Sequence, residues 1–259
     1  MPDEAALEHK ILNECPRMSR NDSFTFRCAP DLDCFTQCCR DVTIILTPYD
    51  VIRLKHALRV DSSELLERYT VAPRAEGQKF PVVILKMEGE KQSCPFLTEK
   101  GCSVYNDRPW ACRMYPLGVA EPKNPTPNDS SFHFVMREDV CHGHGVGKEI
   151  SVRDWLANQG IEEYEAMGVA FRDLTLHDFW EGDKELSPAQ WDMFYMACYD
   201  LDRFRRFVFE TKFLEKFEVD EARVEAIRTD DEDLLEFAMQ WLRFSIFQER
   251  SMRIRRNAA

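Results

Sequence analysis

From residue 151 onward, apolar side chains recur at the three-to-four-residue spacing of amphipathic helices. Ser151 with Asp154 reads as an N-terminal cap before Trp155 and Leu156. Ser187 and Pro188 open a helix expected to run to about Phe217. Its apolar positions are Trp191, Phe194, Tyr195, Cys198, Leu201, Phe204, Val208 and Phe209. Asp230 or Asp231 opens a last helix carrying Leu234, Leu235, Phe237, Ala238, Trp241, Leu242 and Phe244. Aromatic residues at this spacing are read as core rather than as a cofactor box. Cys198, set among Met196, Ala197 and Tyr199, is read as a small core residue.

Before residue 150 the apolar runs are short and broken by turn residues. Val42–Leu46 is rich in β-formers, and Phe80–Met87 is the strongest strand candidate. Between them Thr47 caps a helix with Pro48 at its first position and Asp50 in its first turn. Val51, Leu54 and Leu58 form its apolar stripe. Asp61 to Glu64 starts a second short helix. A helical turn opens at Pro109 and is ended by Pro116. The proline-rich connector 121–128 must be loop. No repeat or low-complexity tract interrupts the pattern.

These elements predict an α+β, mostly helical protein. Residues 1–149 form a cysteine-rich metal-binding part with few short strands, packed against a helical part, 150–259. With 259 residues the chain is long enough to bury a core without disulfides. The net charge is −12. Residues 151–259 hold 24 acids against 15 bases, and residues 1–150 hold 22 against 19. This balance argues against a nucleic-acid partner. Arg253, Arg255 and Arg256 are read as a solvated helix end. Met1–Lys10 is acidic and polar, with no signal-peptide pattern, and no apolar run has membrane-spanning length. A cytoplasmic protein with reduced thiols and no membrane association is expected.

Cysteine usage then carries the chemistry. Eight of ten cysteines fall between Cys28 and Cys141: Cys28, Cys34, Cys38, Cys39, Cys94, Cys102, Cys112 and Cys141. In a reducing compartment such density points to metal ligation. Thiolate is a soft ligand that suits zinc or iron–sulfur clusters. Cys28-x5-Cys34-x3-Cys38-Cys39 forms a local claw with little loop entropy to lose. Cys94, Cys102 and Cys112 form a second set, and Cys141 is the eighth thiol. Glycines at 101, 143, 145 and 147 let backbone N–H groups approach sulfur. Four thiolates around zinc, or around an oxidised four-iron cluster, leave a charge of about −2. Arg40 and Arg113, which follow Cys39 and Cys112, are candidates to balance it. In an extended segment Cys38 and Cys39 point to opposite sides and need not serve one metal. His142 and His144 read as solvent-facing loop residues, with metal binding as the alternative. Cys15 lies outside the cluster in a polar segment.

Other signatures fail. Cys34-x3-Cys38 begins like the C-x3-C-x2-C motif of radical S-adenosylmethionine enzymes, but the third position is Asp41. Residues 143–149 do not make a phosphate loop, and H-E-x-x-H, a dinucleotide fingerprint and paired zinc-finger spacings are absent.

The claw followed by Arg40 and Thr47-Pro48-x-Asp50 resembles the CxxCxxCC, or YkgJ-like, cysteine-cluster family. So do Cys94-Pro95-Phe96-Leu97, Gly101-Cys102-x-Val104-Tyr105, Arg108-Pro109-x-x-Cys112-Arg113-x-x-Pro116 and Cys141-x-Gly143. The resemblance covers roughly residues 24–150. The spacing of the first ligands is longer than the family name implies. The resemblance implies zinc or iron chelation. Some members are described as flagellin lysine N-methylases, which implies S-adenosylmethionine and a protein substrate. Three readings follow: an iron–sulfur protein, of the 4Fe–4S kind, holding its cluster through the eight cysteines and serving a redox partner; a protein lysine N-methyltransferase; and a structural zinc module for protein contacts. The first is preferred because all the clustered ligands are sulfur and eight thiols exceed what one zinc needs.

Overall fold

A computed structural model describes residues 15–122, 126, 130–182 and 184–255. The expectations placed on Met1–Lys10, on Arg256 and on most of the connector 121–128 lie outside these residues. Helices make up 45% of the structure, and the strands are short and gathered in small sheets, an α+β fold of mostly helical kind. Among the described residues no helix is long and apolar enough to cross a membrane.

The chain forms two compact units. Of the described residues, one takes those up to Val42, Met87–Ser103 and Trp110–Glu163, and the other takes Thr43–Lys86, Val104–Pro109 and those from Tyr164 to Arg255.

In the first unit the strand Ser23–Phe26 pairs antiparallel with His144–Ser151. Their register jumps: Thr25 faces Glu149, but Phe26 faces His144. Leu117–Ala120 pairs with Phe132–Val135, and Leu97–Thr98 with Gly101–Cys102. Ser151 caps the helix Val152–Asn158 through Asp154 N–H at 3.1 Å, as its sequence predicts. Phe24, Phe26, Met114, Leu117, Val152, Leu156 and Ile161 form the core. Trp155 packs edge-on to Phe24 and Phe26, and its indole N–H donates to Met114 O at 3.3 Å.

In the second unit Thr47 and Asp50 close a reciprocal capping box, with Thr47 N–H to Asp50 Oδ2 at 2.7 Å and Asp50 N–H to Thr47 Oγ1 at 3.1 Å. The helix Pro48–Leu58 follows and buries Val51, Ile52 and Leu54. Asp61 caps Ser62–Tyr69. Ile45–Leu46 and Thr70–Val71 flank Val83–Leu85 in a three-stranded antiparallel sheet. Both strand expectations were longer than the strands that form, because only these few residues find ladder partners.

The helix expected from Ser187 to about Phe217 is three helices: Pro188–Cys198, Leu201–Glu210 and Phe213–Lys216. The first break falls at Asp200, which leaves helical dihedrals. Its carboxylate accepts from the hydroxyls of Ser62 at 2.7 Å and Ser63 at 2.8 Å. Two residues later Asp202 accepts from Ser62 N–H and Lys55 Nζ, both at 2.7 Å. Thr211 makes the second break by donating to Phe207 O and accepting from Phe213 N–H. Asp230 caps the last helix, Asp231–Phe247. Rings of Phe204, Phe213, Phe237 and Trp241 pack at centroid distances of 5.3–6.4 Å, so the aromatic stripes are core. Cys198 is fully buried there, and burial pushes its thiol pKa up. Arg253 and Arg255 do not end a helix. Arg253–Ile254 pairs as a strand with Phe217–Glu218, and Arg255 N–H and Nε donate to Lys216 O and Phe217 O.

Candidate metal centre

All eight clustered cysteines lie in the first unit, on turns and short elements. Beyond Phe26 the first strand stays paired, since Arg27 N–H donates to Gly143 O at 3.1 Å. A Cβ on Gly143 would stand 2.4 Å from Arg27 O, so glycine is what allows these backbones to meet. That contact brings the segment entering Cys28 beside the segment carrying Cys141 and His142.

From Ala29 to Arg40 the backbone runs through successive tight turns. Thr36 takes a left-handed φ of 70°, and Gln37–Cys39 forms one 3-10 turn. The turn is not extended, so the alternation of an extended segment does not separate Cys38 from Cys39, and each thiol shifts the pKa of the other. The bond from Cys39 pulls the Cys38 pKa down to about 7, against the opposing effect of burial. Cys39 is pushed up by that same bond, then by burial and by the fields of Cys38, Cys94 and Cys112.

The second set reaches the claw through backbone. Cys94 N–H donates to Cys39 O and Asp41 N–H to Gln92 O, both at 2.8 Å, while the Arg40 guanidinium donates to Ser93 Oγ. Burial raises the Cys94 pKa, and the field of Cys102 adds to it. Cys102 lies on the hairpin strand whose Gly101 faces the Phe35 ring. Cys112 rides the helix Trp110–Met114. Its neighbour Arg113 is buried and donates to Gln159 O at 2.7 Å, so it anchors the backbone rather than standing in solvent. Cys38, Cys39, Cys94, Cys102 and Cys112 are thus linked by mutual electrostatic influence. Cys141 joins through Tyr115. Burial first, then a contact with the Cys141 thiol, raises that phenol's pKa, and Cys38 adds to the effect. No disulfide joins any of the ten cysteines.

One compact group was not foreseen. Ligating atoms of Asp33, Cys34 and His142 all lie within 4.8 Å of one another. His142 Nδ1 bonds Asp33 Oδ1 at 2.7 Å, and His142 N–H donates to Cys34 Sγ at 3.2 Å. Asp33 gave no signal in sequence, because its meeting with His142 depends on the Arg27–Gly143 pairing. His142 is exposed, as read. His144 is not a solvent-facing loop residue: it starts a strand, contacts the Phe26 and Tyr115 rings, and its Nε2 is buried without a partner.

Residues 27–142 match the family model described as "CxxCxxCC: Putative zinc- or iron-chelating domain". Over this segment the chain is similar to the CxxCxxCC family. Comparison with curated proteins and with solved structures returned no match. The matched segment begins at Arg27, ends one residue before its partner Gly143, and includes all eight cysteines. Its donors fit zinc or iron. Soft thiols are concentrated in one unit, and the Tyr115 hydroxyl is buried beside Cys141 without a hydrogen-bond partner. A metal-bound thiolate is a strong acceptor and suits such a donor.

Proposed function

We propose that the CxxCxxCC segment holds an iron–sulfur cluster of the 4Fe–4S kind, with its ligands drawn from Cys28, Cys34, Cys38, Cys39, Cys94, Cys102, Cys112 and Cys141. The observation that carries this is that all eight cysteines lie in one compact unit, where the Cys94 N–H to Cys39 O bond joins the claw to the second cysteine stretch. All-thiolate coordination is the ordinary setting of such clusters. When bound, the cluster supplies one-electron chemistry. The chain's own part is to hold the thiols on turns stapled by Cys94 N–H to Cys39 O, and to keep the buried Tyr115 hydroxyl beside Cys141 as a donor for a metal-bound thiolate. This function requires reduced thiols, consistent with a cytoplasmic protein serving a redox partner.

Anaerobic purification after iron-replete expression tests the proposal. The protein is expected to be brown, with sulfide-to-iron charge-transfer absorption and acid-labile sulfide. Colourless protein with stoichiometric zinc and no labile sulfide would refute it.

A further inference from the structure

We infer that Asp33, Cys34 and His142 form a mononuclear site for a divalent cation of the zinc class, separate from the thiol set and open to solvent. The inference deepens the proposed function: it rests on that reading for the remaining thiols and takes Cys34 out of their number.

Three donors of different chemistry converge here, a carboxylate, a thiol and an imidazole, with ligating atoms within 4.8 Å of one another. Zinc binds such ligands at about 2.0–2.3 Å, which spaces tetrahedral donors about 3–4 Å apart. Small side-chain rotations bring the trio to that spacing. A nitrogen and an oxygen donor beside one sulfur suit zinc better than an iron–sulfur cluster.

The surrounding backbone prepares the site. His142 N–H already points at Cys34 Sγ at 3.2 Å, as a donor that stabilises a thiolate. The next residue, Gly143, is locked against Arg27, which fixes the main chain that carries the imidazole. On the other side, turns closed by Leu32 N–H to Ala29 O and Phe35 N–H to Leu32 O fix the Asp33–Cys34 pair. The Asp33 and His142 side chains are 78% and 56% exposed, so a fourth ligand comes from solvent. Three protein ligands with one open position is the arrangement of exchangeable zinc sites rather than closed structural ones.

The test uses full-length, anaerobically purified, iron-loaded protein. Zn²⁺ is titrated against a chromophoric chelator, and Co²⁺ is added separately to report thiolate and imidazole ligation by its absorption. Iron and labile sulfide are measured on every sample. Wild-type protein is expected to bind one Zn²⁺ that Asp33→Asn, His142→Gln and Cys34→Ser each weaken at least tenfold, with iron and sulfide unchanged in Asp33→Asn and His142→Gln. The Co²⁺ charge-transfer band is expected to vanish in Cys34→Ser. Unaltered Zn²⁺ affinity in Asp33→Asn and His142→Gln would overturn the inference, as would loss of iron in those variants. Wild-type protein without iron that still shows the zinc response of the trio would refute the cluster and leave this site standing.

Discussion

In the second unit, Phe204, Phe213, Phe237 and Trp241 interlock, and capped helices carry them. Beneath lies a charged knot: Lys55 Nζ stands 2.7 Å from Asp202 and 3.0 Å from Asp231, and Arg205 stands 2.7 Å from Asp231. In the first unit a core of seven residues supports long runs of turn, and its cysteines are exposed or half-buried. The difference shows where each unit finds its stability. Helices that bury aromatic faces hold themselves by area removed from water. A turn-rich segment with a small core gains more from ligands that join distant stretches of chain. Thin apolar packing around many thiols is therefore itself a sign of metal dependence.

Metal removal should separate the two units most strongly. Chelation under reducing conditions is expected to abolish amide protection in residues 28–42 and 94–112, while Asp231–Phe247 keeps its protection. Hydrogen exchange read by mass spectrometry checks this. Binding free energies of structural metals reach about 10–16 kcal/mol, more than a small core replaces. Equal protection before and after chelation would erase the contrast.

Next in size is Lys55→Met, expected to cost about 3 kcal/mol, because it strands carboxylates in a buried site. Burial pushes Asp202 and Asp231 up, but bonds from Lys55 and Ser62 on the first, and from Arg205 and Lys55 on the second, hold both below the usual carboxylate range. Their stabilisation is complete above the unfolded value of about 4 and fades as pH falls through the lower folded values. Urea melts between pH 5 and 2 should show a shallower acid loss in Lys55→Met. Metal content should not change.

How far these features can be read from sequence differs along the chain. Capping at Thr47, Asp61, Ser151 and Asp230 was legible because a cap is decided within four residues. The break at Asp200 was not, since its partners Ser62 and Ser63 lie far away in sequence. Cysteine density made the candidate centre legible as chemistry. Its geometry was hidden, because the placement of Cys38 and Cys39 depends on a 3-10 turn after a left-handed Thr36. The Asp33–His142 meeting likewise depends on two strands finding each other.

A smaller effect is expected of Gly143→Ala. The new methyl would press on Arg27 O at 2.4 Å and on the Phe26 ring at 2.9 Å. A loss of about 1–3 kcal/mol, with lower metal content, follows from such overpacking. Thermal melts with metal analysis would show whether the strain stays in the first unit. Smallest is Tyr115→Phe. Removing a buried hydroxyl that lacks a hydrogen-bond partner should stabilise metal-free protein by about 1 kcal/mol. If the proposed cluster is bound, the same change should shift its absorption and reduction potential.

The Arg27–Gly143 contact also bears on the order of events during folding. It closes a loop of more than a hundred residues, which by itself costs about 4–5 kcal/mol of chain entropy. The strands Ser23–Phe26 and His144–Ser151 bear that cost through their ladder. Strand pairing would thereby gather Cys28 and Cys141 without an ion, whereas Cys34, Cys38 and Cys39 are already close in sequence. Metal capture would then have an early phase on the claw and a late phase gated by strand pairing. A variant with a weakened ladder would acquire metal slowly while still holding it well.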